Sequence, residues 1–237
     1  MVVALIGLLI ALVLPHLGRG LQAARRTACA SNLRQMQTAF TLYLDDHNGR
    51  WFPWREMVPE GTLWYWGLEP RGGGSEGLRP LDRSRARLAP YLGVGTVETC
   101  PTFPYDAPYF KRKFTSPSYG YGLNGFMIAG LGMAERTGVL RAHQVQNPSQ
   151  VVTWADSIQI NTWQAPASPS RPMYEEWYWL STSAPPSFHF RHGRLLNAAF
   201  ADGRVEALPP DRLDPRLDGR SGFLDPPGED RHLRTSR

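Results

Sequence analysis

The chain has 237 residues, with 23 Gly, 21 Pro, 2 Cys and a formal charge of +5. A chain of this length builds its own core, and the Gly and Pro content favours a loop-rich fold over a helical bundle. Aromatic residues make up 11% of the chain, which excludes wholesale disorder. All basic residues except Lys111 and Lys113 are arginines. Nucleic-acid binders usually mix both types, so we expect no nucleic-acid partner.

The first 18 residues contain no Asp, Glu, Lys or Arg. The apolar stretch 1–14 is shorter than the roughly 20 residues that a membrane span needs, and it lacks the basic start of a signal peptide. A buried core helix is the alternative to a membrane or filament helix. The side chains that would face lipid or neighbouring helices are Val2, Val3, Leu5, Ile6, Leu8, Leu9, Ile10, Leu12, Val13, Leu14 and Pro15.

The next segment, residues 19–48, has the pattern of an amphipathic helix. Its apolar residues recur at spacings of three and four, and they are Cys29, Leu33, Met36, Phe40 and Tyr43. Asn48 and Gly49 supply the residue types that end helices in a left-handed conformation. The pattern predicts one helix from about residue 2 to 47, kinked at Pro15, with one face packed on a soluble domain.

The region after the helix is rich in aromatic residues, Gly and Pro. Four tryptophans, Trp51, Trp54, Trp64 and Trp66, stand near its start. Two interpretations remain open for them. Their rings either fill the core of a domain with few strands, or form flat platforms that bind a glycan polymer.

Asp202-Gly203 between two apolar runs predicts a β-hairpin with a two-residue turn. In that register Phe200 pairs with Val205. The residues expected on one face, packed on the helix stripe, are Leu196, Ala198, Phe200, Val205 and Ala207. His192 would open the first strand, about 33 Å of extended chain from Asp202, so these two side chains should not meet.

The chain carries no motif of a known catalytic site, so we expect no enzyme activity and no catalytic residues. The residues from 209 to 237 are rich in Pro, Asp and Arg. This composition predicts a mobile or surface-draped tail.

Several motifs together resemble those of type IV pilin-like proteins and type II secretion pseudopilins, in the planctomycete-type branch with a C-terminal His-x9-Asp-Gly motif. They begin with the apolar start and the segment 23–53. The later ones are Cys100-Pro101, then Ser118, Tyr119, Gly120 and Asn124, then Asn147–Ser149 before a strand ending at Asp156, and finally His192, Asp202 and Gly203.

The resemblance implies an α+β, pilin-like lollipop, in which a long N-terminal α-helix packs on an antiparallel β-sheet head. Its parts would be 1–18, a transmembrane or filament-core helix; 19–48, the amphipathic continuation; 49–208, the head; and 209–237, the tail. The implied function is a structural pseudopilin or minor pilin. It would be held in the inner membrane by a single pass, with its head in the periplasm, before it joins other pilin-like subunits through the secretion or pilus assembly machinery.

The chain departs from the family at its start. Family precursors carry a basic leader ending in Gly and a Glu at the fifth mature position, and neither is present. Aligning the apolar run puts Met1 about eight residues into the mature chain. We therefore expect either a start codon assigned too late or a truncated chain.

The resemblance also bears on two sites. An extracytoplasmic head permits a Cys29–Cys100 disulfide, with two buried thiols as the alternative. Some secretion pseudopilins bind calcium, which makes Asp156, Glu175 and Glu176 candidate ligands, with a solvated acidic pair as the alternative. No other cofactor is expected. The alternative function, from a different class, is a membrane-anchored extracytoplasmic protein that binds polysaccharide through exposed aromatics.

Overall fold

The computed structural model describes residues 2–92, 97–181, 186–226 and 229–236, with side chains from His16 onward. Three α-helices occur in this part of the chain: α1 (Val2–Asp46), α2 (Ala89–Leu92) and α3 (Met133–Thr137). They are combined with five small sheets whose strands pair mostly antiparallel. The mixed α+β class predicted from the sequence is therefore confirmed.

Sixteen short strands accompany these helices. In chain order they are β1 (Phe52–Pro53), β2 (Arg55–Val58), β3 (Gly61–Trp64), β4 (Gly67–Pro70), β5 (Phe110–Lys111), β6 (Tyr121–Asn124), β7 (Ile128–Ala129), β8 (Val152–Asp156), β9 (Gln159–Asn161), β10 (Met173–Glu175), β11 (Trp179–Leu180), β12 (Phe188–His189), β13 (Leu196–Phe200), β14 (Val205–Leu208), β15 (Arg212–Leu213) and β16 (Ser221–Phe223).

Helix α1 buries the one stripe that the sequence predicts, from Cys29 to Tyr43. Its end is also as predicted. The Gly49 N–H donates to the carbonyl of Leu44, and Asn48 and Gly49 take the left-handed φ values of 53° and 73°. Residues in this conformation stop the helix because they turn the chain away while still satisfying its last carbonyls.

The segment of α1 before Cys29 is exposed where its side chains are described. All residues from 16 to 28 are exposed, and Cys29 is the first buried residue among the described side chains. The side chains from Val2 to Pro15 are outside the described residues. The contacts with lipid or with neighbouring helices that the sequence predicts for them, and the kink at Pro15, therefore stay predictions. Within the described residues, no helix is long and apolar enough to cross a membrane.

The centre of the head is a five-stranded sheet in the order β11-β6-β8-β13-β14. β11 pairs parallel with β6, and the other three pairings are antiparallel. β8 and β13 are buried along their whole length. Fully buried strands of this kind have both faces covered, here by two different parts of the chain.

One face of the sheet packs on α1 through residues such as Trp154 and Ala199, and the other face belongs to a second core that includes Phe188 and Leu233. The smaller sheets surround this centre. Their strand orders are β1-β7, β2-β3-β4, β5-β10-β9 and β12-β16-β15. The helix and the C-terminal segment thus cover opposite sides of one sheet.

The hairpin of β13 and β14 lies where the sequence places it, but its predicted turn is wrong. Ala199, not Phe200, pairs with Val205. The Phe200 N–H donates to the Arg204 carbonyl, and Gly203 takes a left-handed φ of 95°. This is a three-residue loop of the kind that ends in a left-handed Gly, and it competes with the two-residue turn for the same sequence.

The longer loop shifts the register by one residue, which moves every β14 side chain to the other face. Val205 therefore lies with Ala199 on the α1 side of the sheet. Leu196, Ala198 and Phe200 lie in the second core instead of on the helix stripe. The single face predicted for the hairpin is thus divided between two cores.

The residues after 209 form part of the fold instead of the predicted mobile or surface-draped tail. β16 pairs antiparallel with β12, and Leu224 and Leu233 are buried in the second core. The Asn124 Nδ2 donates to the Leu233 carbonyl at 2.9 Å. The average composition of the segment did not predict this packing, because a few apolar residues between charged ones are enough to cover a sheet face.

Replacement of Leu233 measures how firmly this C-terminal segment is attached. Leu233→Ala should lower the free energy of unfolding by about 2–5 kcal/mol, since it leaves a cavity in the second core. Leu78→Ala, at a leucine that is 68% exposed, should change it by less than about 0.5 kcal/mol. Urea unfolding of both variants measures the two free energies. Equal, small decreases would mean that the C-terminal segment is not packed on the sheet.

Candidate functional site

Four polar side chains from distant parts of the sequence meet where α1 first contacts the head. Cys29 lies on α1, Cys100 in the loop before β5, Asp156 at the end of β8, and His192 in the turn before β13. All four are buried, and their potential ligand atoms lie within 4.8 Å of one another. We call these four residues the Cys-Asp-His cluster.

Asp156 is the centre of the hydrogen bonding in this cluster. Its carboxylate accepts from Arg191 Nε at 2.9 Å and from the Asn197 backbone N–H at 2.7 Å. Burial alone would raise the pKa of this carboxyl, but the Arg191 guanidinium and the His192 hydrogen bond hold that pKa well below its usual range. Asp156 is therefore a carboxylate at every physiological pH.

Arg191 is the fully buried cation that balances Asp156. Its Nη2 also donates to the Gly120 carbonyl, and its guanidinium lies 5.0 Å from the centre of the Phe103 ring. Gly120 takes a left-handed φ of 74°, and a Cβ there would come within 3.1 Å of Phe103. Glycine at this position thus lets the Gly120 backbone and the Phe103 ring lie close together beside Arg191.

The two thiols lie on either side of the carboxylate. Cys29 Sγ is 3.3 Å from Asp156 Oδ1 and accepts from the Tyr121 hydroxyl at 3.3 Å. Cys100 Sγ is 3.6 Å from His192 Nε2 and 3.2 Å from Thr102 Oγ1. Both cysteines are free thiols in the structure, and the Cys29–Cys100 disulfide stays a prediction that their proximity permits.

The surroundings give these groups unequal acidities. Burial raises the pKa of the Cys29 thiol well above its usual value. Burial acts in the same direction on Cys100, but the Cys29 hydrogen bond and the Arg191 charge outweigh it and lower the pKa of Cys100 to about 4. Burial would lower the pKa of His192, but hydrogen bonds to Asp156 and Cys100 raise it to about 9. The cluster therefore favours a thiolate at Cys100.

A solvent cleft of about 640 Å³ leads to the His192 side of this cluster. Its walls include Arg25 and Arg26 of α1 on one side and Thr102 and Arg220 of the head on the other. The Asn197 Nδ2 donates to the Arg26 carbonyl at 3.2 Å across the same junction. The cluster is thus buried, but close to a route from solvent.

The residues of the His-x9-Asp-Gly motif are divided between two places. His192 belongs to the cluster, and its Nε2 is 3.3 Å from Asp156 Oδ2. Asp202 and Gly203 form the hairpin loop beyond the other end of β13, where Asp202 Oδ1 accepts from the Arg204 N–H. His192 precedes β13 instead of opening it, and the prediction that His192 and Asp202 do not meet is confirmed.

The Ser-Tyr-Gly-x3-Asn motif supports the same region from β6. The Ser118 N–H donates to Glu176 Oε1 at 2.7 Å, and Tyr119 is buried. Asn124 is fully buried, and its Nδ2 donates to the Val152 carbonyl at 2.8 Å. These residues connect β6 and the loop before it to neighbouring segments of the head.

The three calcium candidates do not form one site among the described residues. Glu175 is ion-paired with Lys111 at 2.6 Å, whereas Glu176 accepts from Ser118 and Tyr178, and Asp156 lies in the cluster. Glu175 and Glu176 are adjacent at the end of an extended strand, so they point to opposite sides. Both are buried, so the alternative of a solvated acidic pair is also wrong.

Sequence reasoning missed Arg191 altogether and assigned Asp156 only to calcium. The available signal was the basic residue directly before His192 together with a carboxylate at the end of an apolar strand. A buried charge requires a partner of the opposite sign. Arg191 and Asp156 could therefore have been proposed as partners from the sequence.

Comparison with known proteins adds no relative: no protein-family model, no curated protein and no solved structure matches the chain. The pilin-like resemblance therefore rests on the motifs alone.

Asp156→Asn tests the central ion pair, since the amide leaves the Arg191 charge buried without its counter-ion. We expect the free energy of unfolding to fall by about 3–5 kcal/mol. The matched control is Asp106→Asn, which removes a carboxylate that is 86% exposed and paired with Arg112. This control should lower the free energy of unfolding by less than about 1 kcal/mol. Chemical unfolding of both variants at neutral pH measures the two losses, and equal losses would contradict a central role for Asp156.

Proposed function

We propose that this chain is a structural subunit, a pseudopilin or minor pilin, of a type IV pilin-like filament or type II secretion system. Its N-terminal helix would anchor it in the inner membrane with the head in the extracytoplasmic space. Other subunits and the assembly machinery would then be its partners. The observation that carries the proposal is a helix of 45 residues in which the side chains from 16 to 28 are exposed and packing on the head begins at Cys29.

The length of the exposed segment of α1 suits helix-to-helix assembly. Among the described side chains of this helix, those from 16 to 28 are exposed and Cys29 is the first buried one. At about 1.5 Å per residue, this exposed segment is about 20 Å long. A helical segment of this length has enough surface to pack against neighbouring helices.

The exposed part of α1 also carries apolar side chains. Leu17 is 61% exposed and Leu21 is 54% exposed. They are four residues apart and so lie on one face of the helix. Large apolar side chains that remain exposed in one subunit are typical of surfaces that become buried in an assembly. They also continue the apolar sequence that precedes them.

The aromatic residues give little support to the alternative of polysaccharide binding. Trp51 and Trp66 are buried, and Trp54 and Trp64 are partly buried against the same core. Trp64 stacks on Trp66 with ring centres 4.9 Å apart. The rings proposed as glycan platforms are therefore occupied by contacts with one another and with the core.

The test replaces one exposed leucine of α1 by a charge. Leu21→Asp in the full chain, expressed in cells that assemble it, should reduce its incorporation into sheared filaments or cross-linked multimers by more than tenfold. A carboxylate buried between helices without a partner costs several kcal/mol, and 1.4 kcal/mol already corresponds to tenfold.

Leu42→Asp is the matched control, since Leu42 is 46% exposed on the same helix at the level of the head. It should assemble nearly as well as the parent chain. Far-ultraviolet circular dichroism should show both variants folded, because neither leucine is buried. The filament role would be contradicted if Leu21→Asp assembled normally, or if the parent chain itself formed no multimers.

A further inference from the structure

We propose that Cys29, Cys100, Asp156 and His192 bind a zinc ion in a closed tetrahedral site. The inference concerns the inside of the head and does not depend on the filament role. Its starting observation is that four ligand-type atoms from four separate chain segments lie within 4.8 Å of one another in a buried place.

Two of the separations between these atoms fit the edges of one coordination tetrahedron. Zinc binds thiolate sulfur at about 2.3 Å and imidazole nitrogen or carboxylate oxygen at about 2.0–2.2 Å, so tetrahedral edges are about 3.3–3.8 Å. Cys100 Sγ lies 3.6 Å from His192 Nε2, which lies 3.3 Å from Asp156 Oδ2. Cys29 Sγ is 3.3 Å from the other oxygen of this carboxylate, Oδ1, and all four ligand atoms lie within 4.8 Å of one another. An ion at the centre would draw these atoms closer together.

The chemistry of the donors selects the metal. Two sulfurs, one imidazole nitrogen and one carboxylate oxygen form a mixed set that suits zinc, whereas calcium and magnesium prefer oxygen donors throughout. All four positions are filled by the protein, as is typical of structural zinc sites. We therefore expect the ion to hold the fold together and not to react.

The charges also balance when zinc is bound. Zinc binding would release the protons of the Cys29 thiol and of the His192 ring nitrogen that binds the ion. Two thiolates and the Asp156 carboxylate then carry three negative charges, and the ion together with Arg191 carries three positive ones. Arg191 and Asp156 are both fully buried. A buried site without net charge avoids the desolvation cost that an uncompensated ion would have.

Neighbouring groups are placed to orient the ligands. The Thr102 hydroxyl lies 3.4 Å from His192 Nδ1, the ring nitrogen on the side away from Asp156. The Tyr121 hydroxyl donates to Cys29 Sγ, and Arg191 donates to Asp156 Oδ1. Asp156 Oδ2 accepts from the Asn197 N–H and lies 3.3 Å from His192 Nε2. Such hydrogen bonds to the ligands are what fix ring orientation and carboxylate geometry in zinc sites.

The competing interpretation of the same residues is the Cys29–Cys100 disulfide. It would use two of the four groups and would not require His192 or Asp156 to lie beside the sulfurs. A zinc ion uses all four, and it would join α1 to β8, to the Cys100 loop and to the turn before β13. We therefore favour the metal, with the disulfide as the outcome that would exclude it.

The experiment measures metal and thiols in the same preparation of the full chain. Protein isolated without added reductant should contain close to one zinc atom per chain, as measured by elemental mass spectrometry. Its intact mass should show that both cysteines are free thiols. After removal of zinc under reducing conditions, cobalt should bind one per chain. It should show the thiolate charge-transfer band and strong visible absorption of a tetrahedral site.

Conservative variants assign the signal to these residues. Cys100→Ser and His192→Gln should lose stoichiometric binding and weaken the cobalt bands, whereas His143→Gln, at an exposed histidine outside the cluster, should bind like the parent. Thr102→Val keeps the side-chain shape and all four ligands. It should weaken zinc affinity by about 10–100-fold through lost orientation of His192. Circular dichroism identifies any variant that does not fold.

Three results would overturn the zinc site. One is a Cys29–Cys100 disulfide in the protein as isolated. Another is reduced, folded protein that takes up neither zinc nor cobalt at one per chain. The third is cobalt spectra and zinc affinity that are unchanged in both Cys100→Ser and His192→Gln.

Discussion

The arrangement of the head depends on one buried charge, the carboxylate of Asp156 at the end of the central strand. A fully buried carboxylate is tolerated only when charged and hydrogen-bonding partners replace its lost water. Here those partners are Arg191, the Asn197 backbone and His192. They come from the turn and strand that follow β12, so the ion pair fixes the start of β13 against the end of β8.

The same carboxylate also determines where α1 sits on the head. The apolar stripe of the helix is held by the hydrophobic effect, which is strong but has no direction. Such a stripe permits small shifts along the helix axis. The contacts of Cys29 with Asp156 and Tyr121, and of the Arg26 carbonyl with Asn197, are directional. They allow one position, and they lie where the helix leaves the head.

Patterns that depend on near neighbours in the sequence could be predicted, and contacts between distant segments could not. The stripe of α1 and its end at Asn48-Gly49 follow from periodicity and local conformation, and the strand ending at Asp156 follows from the family resemblance. The hairpin was located but its register was wrong, because two turn types fit the same residues. The Cys-Asp-His cluster and the packed C-terminal segment arise only when segments far apart in the chain meet. No local signal specifies their pairing.

The spacing of nine residues between His192 and Asp202 has a structural explanation in this chain. β13 lies between the two ends of the motif and is buried on both faces, with Ala199 toward α1 and Ala198 toward the second core. His192 is fixed at one end by Asp156, and Gly203 at the other end by its left-handed turn. One residue more or fewer between them would exchange the two faces of the strand. It would then place Asn197, whose amide now bonds to α1, in the apolar second core. The motif therefore describes a strand of fixed length between two fixed ends.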